Sequence, residues 1–377
     1  MTFKKLNILL LMLAWICTCA NAEKKFDESG YVNGMYIPVV NLNDGKFTHT
    51  GIIHNRLNFS YTPIKQLSFT VQMRNRLMFA DYSKDSTKNY RAMTRDEGFM
   101  NLSMNVVESN YCLFNMFFDR VNVAFNAAQW SITLGRQRIN WSQTLVFNPN
   151  DIFNGYSFFD YDYPERSGSD ALRVCYFPTP TSAIEFAAKL NRKGKLTAAA
   201  MYRFNVKGSD IQALAGRLDD GDWFIGAGYS GEIKGVNLRA EANFFQGDKS
   251  TFVASIGADW VSNKSLFISG ELLYNQQHKS SIVSLAQLYQ TPMSAKHLSF
   301  SEWSVVAQVS YPFSSILSAS FAAMCFIDLP MFYLSPSVDW SLRENLNLSF
   351  STQFFIAGKR FDPSAMAMGY LRLSYNF

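Results

Sequence analysis

The densest charge in this chain falls between Leu134 and Asp170. Gly135-Arg136-Gln137-Arg138-Ile139-Asn140-Trp141 is followed by Phe147-Asn148-Pro149-Asn150-Asp151-Ile152-Phe153-Asn154. Asp160-Tyr161-Asp162-Tyr163-Pro164-Glu165-Arg166 comes next. Guanidinium groups offer a planar fork of donors, and carboxylates accept from it. Such a set can pin a loop through ion pairs or hold a charged solute in passing. It lacks the parts of covalent or general-base catalysis, which needs a nucleophile within reach of a base. The four histidines, His49, His54, His278 and His297, are scattered. No Gly-x-Ser-x-Gly, zinc spacing or phosphate loop is present. The residues therefore point away from an enzyme, a metal site and a cofactor. Cys112, Cys175 and Cys325 are too far apart for a disulfide framework, although one disulfide is left open.

These residues must be held by strands, because alternation runs through the whole chain. Leu346, Leu348, Phe350, Phe354 and Ile356 share one face, opposite Asn347, Ser349, Ser351 and Gln353. Leu67, Phe69, Val71, Met73, Leu77 and Phe79 repeat the pattern opposite Gln72, Arg74 and Arg76. Val236, Leu238, Ala240, Ala242 and Phe244 do so opposite Arg239 and Glu241. Such runs exceed the usual globular strand of about 5–6 residues and suit a tilted membrane strand of about 9–11. Phe (33 residues) and Tyr (18) are abundant enough to supply aromatic girdles.

The two ends agree with export to a membrane. Lys4 and Lys5, the apolar run Ile8 to Ile16, and Ala20-Asn21-Ala22 read as a signal peptide over 1–22. Its removal lowers the net charge from +5 to +3, too little to suggest nucleic acid. At the other end Leu371, Leu373, Tyr375 and Phe377 face one way, and Arg372, Ser374 and Asn376 the other. Short turns near 62–65, 126–129, 178–181, 231–234, 262–264 and 343–345 separate longer connections near 83–97, 142–169, 277–299 and 358–367. One domain over 23–377 follows: an all-β, transmembrane, antiparallel up-and-down β-barrel of about 16–18 strands. Segment 98–125 is hard to divide, and Ile282 to Tyr289 has the spacing of a short helix.

The terminal strand resembles the closing strand of a Gram-negative outer-membrane barrel. That resemblance implies that Tyr375 and Phe377 are read by the barrel-assembly machinery. The "GRQR…W" strand and "FNPxDxFN" loop resemble porin-like outer-membrane barrels, above all alginate-export-type and Bacteroidetes barrels, over about residues 130–175. This implies an inward loop that narrows a pore, with constriction roles for Arg136, Arg138, Asp151, Glu165 and Arg166.

The phase of the strand poses a separate question. Trp130, Ile132 and Leu134 would face lipid, and continuing that phase puts Arg136 and Arg138 there too. A charge at the bilayer midplane costs roughly 2–4 kcal/mol in barrels. Either Gly135 makes a bulge that aims Arg136, Arg138 and Asn140 into the pore, or the strand has left the hydrocarbon by then. The arginines could equally pin the loop through Asp151, Asp160, Asp162 or Glu165. The same phase turns His54, Arg56, Arg74 and Arg76 inward on early strands, and Glu185, Glu241, Asp259 and Glu271 inward on middle ones. Bases and acids should therefore occupy different sectors of the lumen.

The expected function is passive diffusion of small hydrophilic or anionic solutes through a Gram-negative outer-membrane channel. Its partners would be membrane lipid, the assembly machinery and further copies in an oligomer. The alternative is a non-conducting barrel in surface-polysaccharide export, attachment or assembly.

Overall fold

The computed structural model describes residues 25–80, 94–154, 165, 167–278, 293–358 and 365–377. The proposed signal peptide, Arg166, Asp160, Asp162 and the proposed helix over 282–289 lie outside them.

Among the described residues there are nineteen strands. They are β1 (Phe26–Asn41), β2 (Phe47–Ile64), β3 (Leu67–Phe79), β4 (Ser103–Glu108), β5 (Cys112–Ala127), β6 (Trp130–Gln137) and β7 (Ser169–Thr179). Then come β8 (Ser182–Leu190), β9 (Leu196–Val206), β10 (Ser209–Arg217), β11 (Trp223–Ile233), β12 (Val236–Gln246) and β13 (Thr251–Val261). The chain closes with β14 (Phe267–Asn275), β15 (Trp303–Pro312), β16 (Leu317–Phe326), β17 (Met331–Arg343), β18 (Leu346–Ala357) and β19 (Ala365–Asn376). All pairings are antiparallel, and β1 pairs with both β2 and β19, so the sheet closes on itself. Closure leaves no unpaired edge, which is what a membrane-spanning sheet requires. The last pairing is Tyr31 with Asn376, and Gly30 and Phe377 then exchange two backbone hydrogen bonds of 2.9 Å.

The nineteen strands fill eighteen wall positions. Strand β5 holds β3 along one edge. Along its other edge it pairs with β6 from Val121 to Ala127 and with β4 from Leu113 to Phe117. β4 and β6 are thus two halves of one position. β6 stops at Gln137 because the chain turns inward there, and β4 supplies the upper half of the wall. The stretch before β4 bridges the remaining gap: Gly98 pairs with Asn191, and the Arg192 amide donates to the Glu97 carbonyl at 3.0 Å. Segment 98–125 resists division by pattern because part of it completes the position of a strand that follows it in sequence.

The outer face carries the alternating apolar residues. Aromatics gather near both ends of the strands: Tyr61, Phe69, Trp130, Trp260, Trp340 and Tyr375 at the short-turn end, and Tyr36, Phe79, Trp223, Trp303 and Phe332 at the long-loop end. These are the two girdles expected at membrane interfaces. Inside, the long-loop half is packed rather than hollow over one sector. Ile139, Trp141, Phe147, Ile152 and Phe153 from the inward segment bury themselves against Phe224, Phe245, Leu273 and Phe300. Each such side chain contributes about 1.5–3 kcal/mol when fully buried. The three cysteines outside the proposed signal peptide are free thiols.

Candidate functional site

Residues 138–154 leave the wall at the end of β6 and lie as a strap along the inside of β8 to β14. Three wall glutamates hold it there. Glu241 accepts from the backbone amides of Thr144 and Asn150, each at 2.8 Å, and from that of Gln143. Glu271 accepts from the amides of Leu145 (3.1 Å), Val146 (3.1 Å) and Phe147 (2.6 Å), and from the Ser255 hydroxyl at 2.8 Å. Glu185 accepts the Trp141 indole N–H at 2.6 Å and both prongs of Arg173 at 2.7 Å. Gln212 donates to the Trp141 carbonyl, and Asn243 donates to the Pro149 carbonyl, each at 2.7 Å. A buried carboxylate is costly unless its lone pairs are taken. A strap without its own regular structure has free amides to give. Each solves the other's problem.

This corrects one expectation. Glu185, Glu241 and Glu271 do point inward, but the strap covers them and they do not line an open pore. Asp259 is likewise buried, paired with Arg239 at 2.8 Å and with Asn237. The charges do not divide into two sectors: Arg173 and Arg239 stand with Glu185 and Asp259 on the middle strands, and Asp119 stands with Arg56 beside His54, Arg74 and Arg76 on the early ones. His54 and Arg56 are buried there too. Arg56 bonds Asp119 at 2.7 Å and Gln72 at 2.6 Å, and His54 meets Tyr31 edge-on. Arg76 is buried, and Arg74 stands over the Phe117 ring.

Arg136 is also placed differently from the constriction role. It is 1% exposed and sits in the wall seam where β6 gives way to the segment before β4. Its Nε and Nη2 grip both oxygens of Asp170 at 2.7 and 2.8 Å. Nη1 reaches Asp96 at 2.6 Å, and Nη2 also donates to the Met100 carbonyl at 2.7 Å. No register shift interrupts the pairing of β6 with β5 or β7, so the bulge is absent. Instead Gly135 has φ +114°, in the region a side chain disfavours, and the strand ends two residues later. Arg136 is thereby held inside the seam, its guanidinium over the Phe117 ring and its charge neutralised by two carboxylates. Gly98 is part of the same fit: a Cβ there would run into the Arg136 guanidinium and Asp170.

The remaining strap residues surround a cavity of about 570 Å³ lined by Arg120, Arg138, Asn140, Asn148, Glu165 and Arg239 among others. The arginine heads reach its surface and their acids stand behind. Side-chain exposure is 11% for Arg120, 19% for Arg138 and 26% for Arg239, against 0%, 4% and 5% for Asp119, Asp151 and Asp259. Asp151 therefore fixes Arg138 (2.9 Å) rather than lining the cavity. Glu165 is the exposed acid. It takes the Tyr31 hydroxyl at 2.9 Å and lies 3.7 Å from Arg56, so the inward segment touches the opposite wall. A solute in this cavity meets mainly donors. Among the described residues no group of three His, Cys, Asp or Glu side chains could hold a metal.

The barrel superposes on Acinetobacter baumannii OccAB1 with a TM-score of 0.60, at 8% identity, over 96% of this chain and 99% of that one. Pseudomonas aeruginosa OccD3 (OpdP) gives 0.59 at 8% identity over 95% and 92%. A Rhodopseudomonas blastica porin triple mutant gives 0.50 at 11% over 93% and 100%. The chain has a porin fold. No protein-family model and no curated protein sequence matches it. The narrower likeness to alginate-export-type and Bacteroidetes barrels gains no support from these three structures.

Within the porin fold, pattern reading missed Arg120 and Asp119. They sit where β5 slips by one residue against β3, between Gln72 and Met73. The signal was available: two adjacent charges break an apolar run between Phe118 and Val121. Asp96 and Gln212 carry no such mark. Outside the wall, Lys296 from the 293–302 segment bonds Asp220 at 2.6 Å and also Asp222. Burial opposes its charge, but the two carboxylates outweigh that and raise its pKa.

Proposed function

We propose that this chain is a Gram-negative outer-membrane channel through which small hydrophilic solutes diffuse passively, anions preferentially. The observation that carries the reading is the donor-faced cavity beside the strap, with guanidinium heads forward and carboxylates behind. Closely spaced fixed charges on a pore wall bias which ions pass. The porin fold and the lipid-suited outer face support the membrane setting. In this reading residues 1–22 direct export, and Tyr375 and Phe377 are read by the assembly machinery. Arg138 and Asn140 serve at the constriction with Glu165 and Arg166, and Arg120 and Arg239 join them.

Single-channel recording of refolded protein in a planar bilayer tests this. Steady conductance is expected, with a reversal potential in a salt gradient that reports anion preference. Arg120→Ala/Arg138→Ala should raise conductance and reduce that preference. Folded barrels that never conduct would overturn the channel. They would leave the second reading, a barrel that exports, attaches or assembles surface polysaccharide. The strap packed inside the lumen is the observation on that side.

A further inference from the structure

The outer face of β8 to β11 is not a plain lipid-facing wall. Its exposed alternation falls on Ala198 and Ala200 of β9 and Ala215 of β10, and these small side chains floor a groove of about 710 Å³. Phe186, Leu196 and Trp223 wall it. At its long-loop end the groove opens under the turn Asn191-Arg192-Lys193-Gly194-Lys195 and beside Arg217. None of these four cations forms an ion pair among the described residues. Arg192 donates to the Asp96 carbonyl, and Arg217 donates to the Gly221 carbonyl and lies over Trp223. Acids also border the mouth, but they are engaged: Asp219 takes the Asn191 amide at 2.6 Å and Asp220 holds Lys296. Across the Trp223–Ile225 ridge a second groove of about 760 Å³ runs over β11 to β14, floored by Ala227, Ala242 and Ala254 and almost wholly apolar.

We infer that this face binds one phosphorylated, multiply acylated glycolipid of the outer leaflet, its phosphates on Lys193, Lys195 and Arg217 and its acyl chains in the two grooves. An apolar channel capped by unpaired cations complements an anionic headgroup joined to hydrocarbon. The first groove opens at the basic mouth and the second lies beside it across the ridge, and two grooves side by side suit several chains on one headgroup better than a single-chain lipid. The inference rests on the outer-membrane reading, because short turns mark the periplasmic end and place this mouth in the outer leaflet.

The test is native mass spectrometry of the full mature chain, refolded in detergent and titrated with deep-rough lipopolysaccharide carrying two lipid A phosphates. A one-to-one adduct is expected, weakened at least about tenfold by Lys193→Ala/Lys195→Ala/Arg217→Ala. Ala200→Trp, which fills the first groove without touching charge, should weaken it too. Dephosphorylated lipopolysaccharide should bind as poorly as the charge variant does. Heat-modifiable gel mobility certifies that each barrel is folded. An absent adduct, equal binding by both folded variants, or equal competition by phosphatidylglycerol would overturn the inference. Conductance of the same variants should match wild type, since all lie outside the lumen. A barrel that conducts without binding sinks this inference alone, and one that binds without conducting sinks the channel alone.

Discussion

Two arginines separated by one residue have opposite surroundings. Arg136 is sealed between Asp96 and Asp170, while Arg138 shares Asp151 but shows its head to the cavity. Removing the first should therefore cost stability and removing the second should change selectivity. Arg136→Met leaves two buried carboxylates and the Met100 carbonyl without their partner. Breaking a buried pair in this way costs about 3–5 kcal/mol. Urea unfolding followed by tryptophan fluorescence should show the midpoint fall, with ion preference unchanged in whatever fraction stays folded. Arg138→Ala should lower the anion preference and, because it strands the single buried carboxylate of Asp151 where Arg136→Met strands two, should lower the midpoint less. The pair Arg136/Arg138 was conspicuous in the sequence, but its division of labour was not. That division depends on Asp96, forty residues upstream, which reaches Arg136 only because the chain before β4 completes the wall.

At the level of elements, the strap and the wall it lies on are one device. Glu241 and Glu271 each collect amides from consecutive strap residues, so the strap's height in the lumen is set by two side chains on β12 and β14. Glu271→Gln keeps the size but replaces one acceptor oxygen with a donor that faces the amides of Leu145 and Val146. Hydrogen bonds to a charged group are worth about 1.5–3 kcal/mol each, and several would weaken together. The apolar underside, from Trp141 to Phe153, should keep the strap inside the barrel. The expected result is thus an intact barrel with noisier and larger single-channel steps, more so in the double variant with Glu241→Gln. Steps identical to wild type would show that apolar packing alone sets the pore. Alternation placed these glutamates on the inner face correctly, since period 2 is a property of every strand. It could not say what covers them. Backbone amides leave no trace in side-chain pattern, so a carboxylate facing water and one facing a strap look alike in sequence. β4 escaped for a related reason: sequence order implies that each strand has a wall position of its own, and β4 and β6 share one.

The whole molecule is a closed wall with most of its inner charge spent on holding itself together. Arg56 with Asp119, Arg173 with Glu185 and Arg239 with Asp259 are ion pairs whose opposite charges largely cancel at a distance. What remains is an arrangement: donors at the cavity surface and acids behind it. A field of that kind is short in range. A sphere of about 570 Å³ is about 10 Å across, close to the Debye length of ~10 Å at 0.1 M salt and well beyond ~3 Å at 1 M. Ion preference should accordingly be clear in a gradient centred near 0.1 M and fade toward the ratio of bulk mobilities near 1 M. In Arg120→Ala/Arg138→Ala/Arg239→Ala the preference should be small at both concentrations, because the forward charges are gone. Reversal potentials at the two ionic strengths, for wild type and the triple variant, decide the matter. A wild-type preference that survives 1 M salt would mean that solutes are sorted by direct hydrogen bonds with the guanidinium heads at contact distance, not by the field they cast across the cavity.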